Sequence, residues 1–223
     1  MNNIPAIYED DHLAVFNKPP GLLTIPAPGG REKDFTSLLN SRNRGEDDSP
    51  RFHPCHRLDR ETSGLIIYAK GKSAQKKMMD IFRGREVEKT YLAVLHGSPA
   101  EGKKAIRSPI EGKPASTYYE VLLRRPAFSV VCASPETGRT NQLRIHFTGI
   151  GHPIVGEARF VFRRDFVLKA KRVMLHAWQL EFRHPYSGKG IVLSAPVPVD
   201  IRNFFLKHGV DPGQFTPPRG API

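Results

Sequence analysis

Apolar residues recur along this chain chiefly at a spacing of two, the period of a strand, with a few short stretches at the helical spacing of three and four. Residues 6–17 alternate towards a strand whose apolar centre is Leu13-Ala14-Val15-Phe16, and Pro19-Pro20-Gly21 must end it. Further strands are predicted over 65–68, 91–95, 117–123, 128–133, 173–182 and 191–195. The pair 117–123 and 128–133 reads as a hairpin or meander, and Tyr186-Ser187-Gly188 is the turn before the last strand. Helical spacing predicts a short helix around 35–39. A second runs from an N-cap at Ser73 to about Arg83 with Gly84 as its stop, burying Met78, Ile81 and Phe82 and leaving Lys72, Lys76 and Lys77 in water. A third is capped by Asp200 and runs to about His208, with Ile201, Phe204 and Phe205 inward. From Asn141, the apolar positions Leu143, Ile145, Phe147 and Ile150 fit a strand end or a short helix equally well. Residues 26–54, 98–115 and 161–172 read as loops, the first carrying Arg31, Arg42, Arg44 and Arg51.

Strands dominate, helices are scattered, and no regular strand–helix alternation appears, so the expected class is α+β around a largely antiparallel sheet. At 223 residues the chain is long enough for one sizeable core. One domain over 1–223 is expected, with its core in 6–208 and a frayed tail in 209–223.

Charge then narrows the partners. The sequence holds 34 Lys plus Arg against 22 Asp plus Glu, a net +12, and should be drawn to polyanions, nucleic acid first among them, although a basic balance by itself also suits an anionic membrane surface. A membrane is disfavoured because no apolar run approaches the roughly 18 residues of a spanning helix. Cys55 and Cys132 are too few for a disulfide framework, and the polar start Met1-Asn2-Asn3-Ile4-Pro5 lacks a secretory pattern, so a cytoplasmic setting is expected. His53, Cys55 and His56 are too cramped for three ligands on one tetrahedral ion, so no metal is expected.

One stretch is badly placed for a core and well placed for a site: His56-Arg57-Leu58-Asp59-Arg60-Glu61-Thr62-Ser63-Gly64, feeding Leu65-Ile66-Ile67-Tyr68-Ala69. Asp59 lies between Arg57 and Arg60, whose charges favour its ionised form, while Thr62 and Ser63 can hydrogen-bond the turn. A carboxylate so held can act as nucleophile or base. The plainer reading makes Asp59 a turn cap and the arginines solvated.

That stretch resembles the H-R-L-D-x-x-T-S-G signature of the RluA family of RNA pseudouridine synthases. Five other stretches resemble the same family in the same order: Asn17-Lys18-Pro19-Pro20-Gly21, Lys89-Thr90-Tyr91-Leu92-Ala93-Val94, Gly138-Arg139-Thr140-Asn141-Gln142-Leu143-Arg144-Ile145-His146, Gly151-His152-Pro153-Ile154-Val155-Gly156 and Leu175-His176-Ala177. The resemblance spans about residues 6–205 and favours a helix after Asn141. It implies an enzyme that breaks the N-glycosidic bond of a uridine, turns the uracil and rejoins it through carbon, with no cofactor. Asp59 then matches the catalytic aspartate, Tyr91 the tyrosine packed on the target base, and Arg144 the arginine paired with the aspartate. Arg57 matches the side chain that fills the gap left by the flipped nucleotide. Lys18, at a strand's end, reads equally as a solvated lysine or as a phosphate or support residue, and with Arg60 it is expected at the RNA; His56, Thr62 and Ser63 are expected as loop support. An extra N-terminal RNA-binding domain is expected to be absent, since 16 residues precede Asn17, and a monomer is expected.

Asn141 and Glu157 depart from the family pattern, which has His and Asp there. They are expected not to touch Asp59, Tyr91 or Arg144. The implied substrates are 23S ribosomal RNA and a transfer RNA anticodon stem-loop. The alternatives are a transfer-RNA enzyme, an RNA-binding protein without the reaction, and an N-glycosidase that releases uracil.

Overall fold

The computed structural model describes residues 4–27, 29, 33–42, 51–161 and 167–217. In chain order its elements are β1 (Ala6–Glu9), β2 (Leu13–Lys18), α1 (Phe35–Arg42), β3 (Phe52–Pro54), β4 (Ser63–Lys70), α2 (Lys72–Gly84), β5 (Glu88–His96), β6 (Lys103–Ile106), β7 (Thr117–Arg124), β8 (Phe128–Pro135), α3 (Gln142–Gly149), β9 (Leu175–Arg183), β10 (Gly190–Ser194) and α4 (Val199–Lys207). This is an α+β fold with mostly antiparallel strands. The described residues fall into two compact units, 4–87 with 179–195, and 88–178 with 196–217. Among the described residues, no helix is long and apolar enough to cross a membrane.

In the first unit, β2 pairs antiparallel with β4 from Leu13↔Ala69 to Lys18↔Gly64. Every residue from Leu65 to Ala69 is fully buried because both faces of the pair are covered. Leu13, Val15, Leu65 and Ile67 pack with Ala74 and Met78 of α2. On the other face the rings of Phe16, Phe35, Phe52 and Tyr68 meet edge-on or tilted, Phe16 and Phe52 with centroids 5.4 Å apart. The single strand expected over 6–17 is a hairpin instead. Asp10 breaks it, its Oδ1 accepting the N–H groups of His12 and Leu13 at 2.8 Å each.

Helix α2 starts at Lys72, ahead of the expected Ser73 cap. Gly71 at φ +95° makes the entry, and Arg85 in the left-handed region (φ 61°) makes the exit that Gly84 was expected to make. Its N–H closes the last turn onto Ile81 and Phe82.

The second unit is an antiparallel run β6–β7–β8–β5, with β5 in register from Tyr91↔Ala133 to His96↔Phe128. Its core gathers Leu92, Val94, Val130, Phe147, Trp178 and Phe205. Residues 142–149 are helical. Leu143 and Phe147, four apart, face that core, while Gln142 and His146 bond to the β7 end. Asp200 does not cap α4; Pro198 precedes the helix, and Asp200 takes Arg172 in a two-pronged pair, Oδ2 to Nε at 2.5 Å and Oδ1 to Nη2 at 2.9 Å. The packed body also runs past 208: Val210 is buried and Phe215 packs on Phe205 with ring centroids 5.0 Å apart. The last stretch of the expected tail, 218–223, lies outside the described residues.

Candidate active site

The stretch around Asp59 leaves β3 at Pro54 and enters β4 at Ser63. Asp59 is half-buried at the head of a tight turn, its carbonyl accepting the Thr62 N–H at 3.1 Å. The residues around it are fastened to the segment that follows β2. Thr24 Oγ1 donates to the Leu58 carbonyl at 2.9 Å and accepts the Leu58 N–H at 3.1 Å. Gly21 N donates to the Arg60 carbonyl at 2.8 Å, and Arg60 Nε returns a bond to the Gly21 carbonyl at 3.2 Å. Gly21 sits at φ +88°, a conformation L side chains rarely adopt, which is why Pro20 is followed by Gly. His56 Nε2 accepts the N–H of Ile67 at 3.0 Å, and its ring lies 4.9 Å from Phe82. Thr62 and Ser63 are buried; Arg57 and Arg60 are exposed.

Lys18 was expected at the RNA, but its side chain is fully buried. Its ammonium donates to the carbonyls of Pro19, Leu22 and Arg60 at 3.0, 2.8 and 3.4 Å, so it lies beneath the turn as a strut, which corrects the expectation. Lys18→Met keeps the aliphatic stem and removes this donor from three partly buried carbonyls. We expect a loss of about 2–4 kcal/mol and a melting temperature lower by about 5–15 °C. An unchanged melting curve would assign the order of this segment to Gly21 and Thr24 alone.

Tyr91 and Arg144 belong to the second unit. Tyr91 is half-buried on β5, two residues from Lys89 and so on the same face. Burial pushes the Lys89 ammonium below its ordinary range. Arg144 lies in the first turn of α3 and is buried. Its Nε and Nη2 donate to Glu157 Oε2 and Oε1 at 2.5 and 2.9 Å, and its Nη1 donates to Asn141 Oδ1 at 2.9 Å. Asn141 and Glu157 were expected to stand clear of Arg144. They are its partners, and the expectation is corrected.

Helix α3 is itself held by polar residues that periodicity passes over. Gln142 Oε1 accepts from Thr137 Oγ1 and Arg139 N, and its Nε2 donates to the Ser116 carbonyl and Thr117 Oγ1. The His146 ring lies between Thr117 Oγ1 at 2.9 Å and the Ser108 carbonyl at 3.0 Å.

Burial lowers His146, and burial with the charge of Lys169 lowers His96 to about 4 from an ordinary 6.5. Unfolded, these rings take protons below pH 6.5 that the fold refuses, so stability is full above that pH and falls as the pH drops towards 4. Burial opposes ionisation of Glu157 and Asp200, but the hydrogen bonds of Arg144 and Arg172 outweigh it and hold both carboxyls low. They add a loss of the same sign at lower pH. Between pH 7.5 and 4.5 we expect a decrease on the order of 2 kcal/mol, about 4–8 °C in melting temperature, with a shallower slope for His96→Gln. A flat profile would contradict the burial of these rings. Burial also raises the thiols of Cys55 and Cys132, to about 12 and 11, which keeps both protonated at neutral pH.

With this geometry in place, the comparisons are specific. The family model for RNA pseudouridylate synthase matches residues 12–148. The chain belongs to the RNA pseudouridylate synthase family. Among its relatives is a dual-specificity RNA pseudouridine synthase RluA from Pasteurella multocida, 37% identical over 206 residues, covering 85% of this chain and 91% of the relative. The counterpart in Escherichia coli K12 is 36% identical over the same shares. The ribosomal large subunit pseudouridine synthase D of Nitrosomonas europaea is 35% identical over 217 residues, and the match spans 62% of that longer protein. The solved structure of human RNA pseudouridylate synthase domain containing 4 aligns with a TM-score of 0.72 at 25% identity, over 87% of this chain and 88% of that one. In this chain the stitch of Thr24 and the partners of Arg144 escaped sequence reasoning, and Lys18 was placed at the RNA and not beneath the turn. The one usable signal was that Asn141 and Glu157 both break the pattern of their motifs.

Proposed function

We propose that this chain is an isomerase that converts specific uridines of structured RNA to pseudouridine, with Asp59 as the catalytic carboxylate. The observation that carries the reading is the architecture of the Asp59 turn: five hydrogen bonds involving Lys18, Gly21, Thr24 and Arg60 fasten the residues on either side of one half-buried carboxylate. One positioned carboxylate suits this isomerisation, which changes no oxidation state and uses no group donor, and so needs neither metal nor cofactor. Hydrolysis of a comparable bond by glycosidases uses two.

In the proposed reaction the target uridine leaves its stack, the carboxylate of Asp59 acts at the sugar or the ring, and the detached uracil turns and rejoins the same ribose through C5. Tyr91 supplies an aromatic face for the extruded base, and Arg144 supplies fixed N–H donors. Arg57 and Arg60, exposed on the turn, meet the RNA, the flat guanidinium of Arg57 suiting the gap left by the base. The substrates we infer are ribosomal and transfer RNA; the ribosomal one is supported by the words 'ribosomal large subunit' in the name of the Nitrosomonas relative, and more than one substrate by the dual specificity in the name of the Pasteurella relative. We further infer a monomer acting in the cytoplasm as one catalytic domain.

Pseudouridine maps of total RNA from cells with and without the gene test this. Discrete uridines in ribosomal RNA, transfer RNA or both should lose modification in the deletion and regain it on complementation. Identical maps would overturn the reading.

A further inference from the structure

The buried guanidinium of Arg144 is gripped from two separate segments. Glu157, whose side chain is 0% exposed, takes the side-on fork formed by Nε and Nη2. Its Oε1 also accepts the backbone N–H groups of Arg159 at 2.8 Å and Phe160 at 3.3 Å, so the carboxylate is fixed before it meets the arginine. Asn141, in the left-handed region at φ 55° and ψ 23°, places its Oδ1 on Nη1. The Phe160 ring lies 5.1 Å from the guanidinium carbon. Glu157 and Asn141 thus take three of the five N–H donors, and the directions of the other two are set by the same clamp. Glu157 also balances the charge, so what Arg144 offers is chiefly the direction of its hydrogen bonds.

We propose that Glu157 and Asn141 are positioning residues that act together through Arg144. This rests on the reading of Arg144 as part of the reaction. Asn141 and Glu157, the polar positions at which this chain departs from the family signature, converge on one guanidinium. They form a matched pair, with the longer carboxylate and the smaller amide set against the same side chain.

The test uses the full chain with a transfer RNA or ribosomal RNA fragment that it modifies. Asn141→Gly, Glu157→Gln and the double variant are prepared with Arg144 present and with Arg144→Ala. Asn141→Gly deletes the amide while Gly keeps the φ of 55°, so it carries the test if Glu157→Gln fails to fold. Single-turnover conversion should fall roughly tenfold for Asn141→Gly and on the order of 100-fold for Glu157→Gln. RNA affinity should be unchanged. The double variant should lose less than the product of the two, and with Arg144→Ala neither substitution should slow conversion further. Losses that multiply, or that persist in Arg144→Ala, overturn the proposal.

A second readout does not need the reaction. The Arg144 Nε–H resonance in a proton–nitrogen NMR spectrum should exchange slowly in the unsubstituted protein and in Asp59→Asn, and be lost in Glu157→Gln. A resonance indifferent to Glu157→Gln overturns the clamp. A clamp seen in the spectrum of a protein that forms no pseudouridine would instead sink the functional reading.

Discussion

Asp59→Asn is expected to abolish conversion of uridine, by about 10⁴-fold or more, while RNA binding stays at the level of the unsubstituted protein. The amide has nearly the same shape as the carboxylate but neither attacks carbon nor takes a proton at neutral pH. The turn should survive, because the bond that closes it is from Thr62 N to the carbonyl of residue 59, which the substitution leaves in place. Melting temperature is therefore the control: a shift of more than a few degrees would mean that Asp59 acts as a structural cap, the plainer reading of its position. Single-turnover conversion and filter binding on the same RNA check the rest. Conversion retained by the Asn variant would remove Asp59 from the chemistry.

Gly156→Ala should be the most damaging substitution for the fold. Gly156 lies at φ +88°, and a Cβ placed there would come within 1.9 Å of the Arg172 carbonyl oxygen, 2.6 Å of its carbon and 3.1 Å of Val173 N. All three are backbone atoms, so no rotamer change relieves the overlap, and the strand entry at 172–175 or the turn at 154–157 must move. A loss of at least about 4 kcal/mol is expected, seen as insoluble protein or a melting temperature lower by more than about 10 °C. Glu157 is the next residue, so any folded fraction should have lost its grip on Arg144. Gly138→Ala makes the contrast: no atom lies within 4 Å of its added methyl, and it should melt within about 2 °C of the parent. Equal melting of the two variants would contradict the close approach at Gly156.

These two glycines also illustrate how far the sequence could be read. Both stand in recognisable motifs, yet only packing distinguishes the one pressed against a neighbouring backbone from the one in open space. The fold class was legible because runs such as Leu65–Ala69 are apolar at every position, as strands covered on both faces must be. Helix α3 was not. Over eight residues Leu143, Ile145 and Phe147 keep the strand period while Leu143, Phe147 and Ile150 keep the helical one, and what settles the matter is tertiary: Gln142 and His146 bonded to Thr117, and Phe147 in the core.

Lys18 misleads for a different reason. A lysine at a strand end normally belongs to solvent, and nothing in spacing shows that the Pro19-Pro20-Gly21 turn brings three carbonyls around its ammonium. The grip of Glu157 on Arg144 joins residues thirteen apart in sequence across a chain reversal, beyond the reach of any periodicity. Prolines and glycines predict a frayed tail, whereas Val210 and Phe215, apolar residues too isolated to form a period, hold it down to residue 215.

The central claim, that this chain rejoins the base to its sugar through carbon, is tested most directly with a transfer RNA or ribosomal RNA fragment carrying tritium at C5 of uridine. Forming the new carbon–carbon bond expels the C5 hydrogen to water. The unsubstituted protein should therefore release one tritium for each pseudouridine formed and no free uracil. Free uracil with the label still on the base would mean a glycosidase, and tight RNA binding with no tritium released would mean a protein that holds RNA without transforming it; either result contradicts the claim.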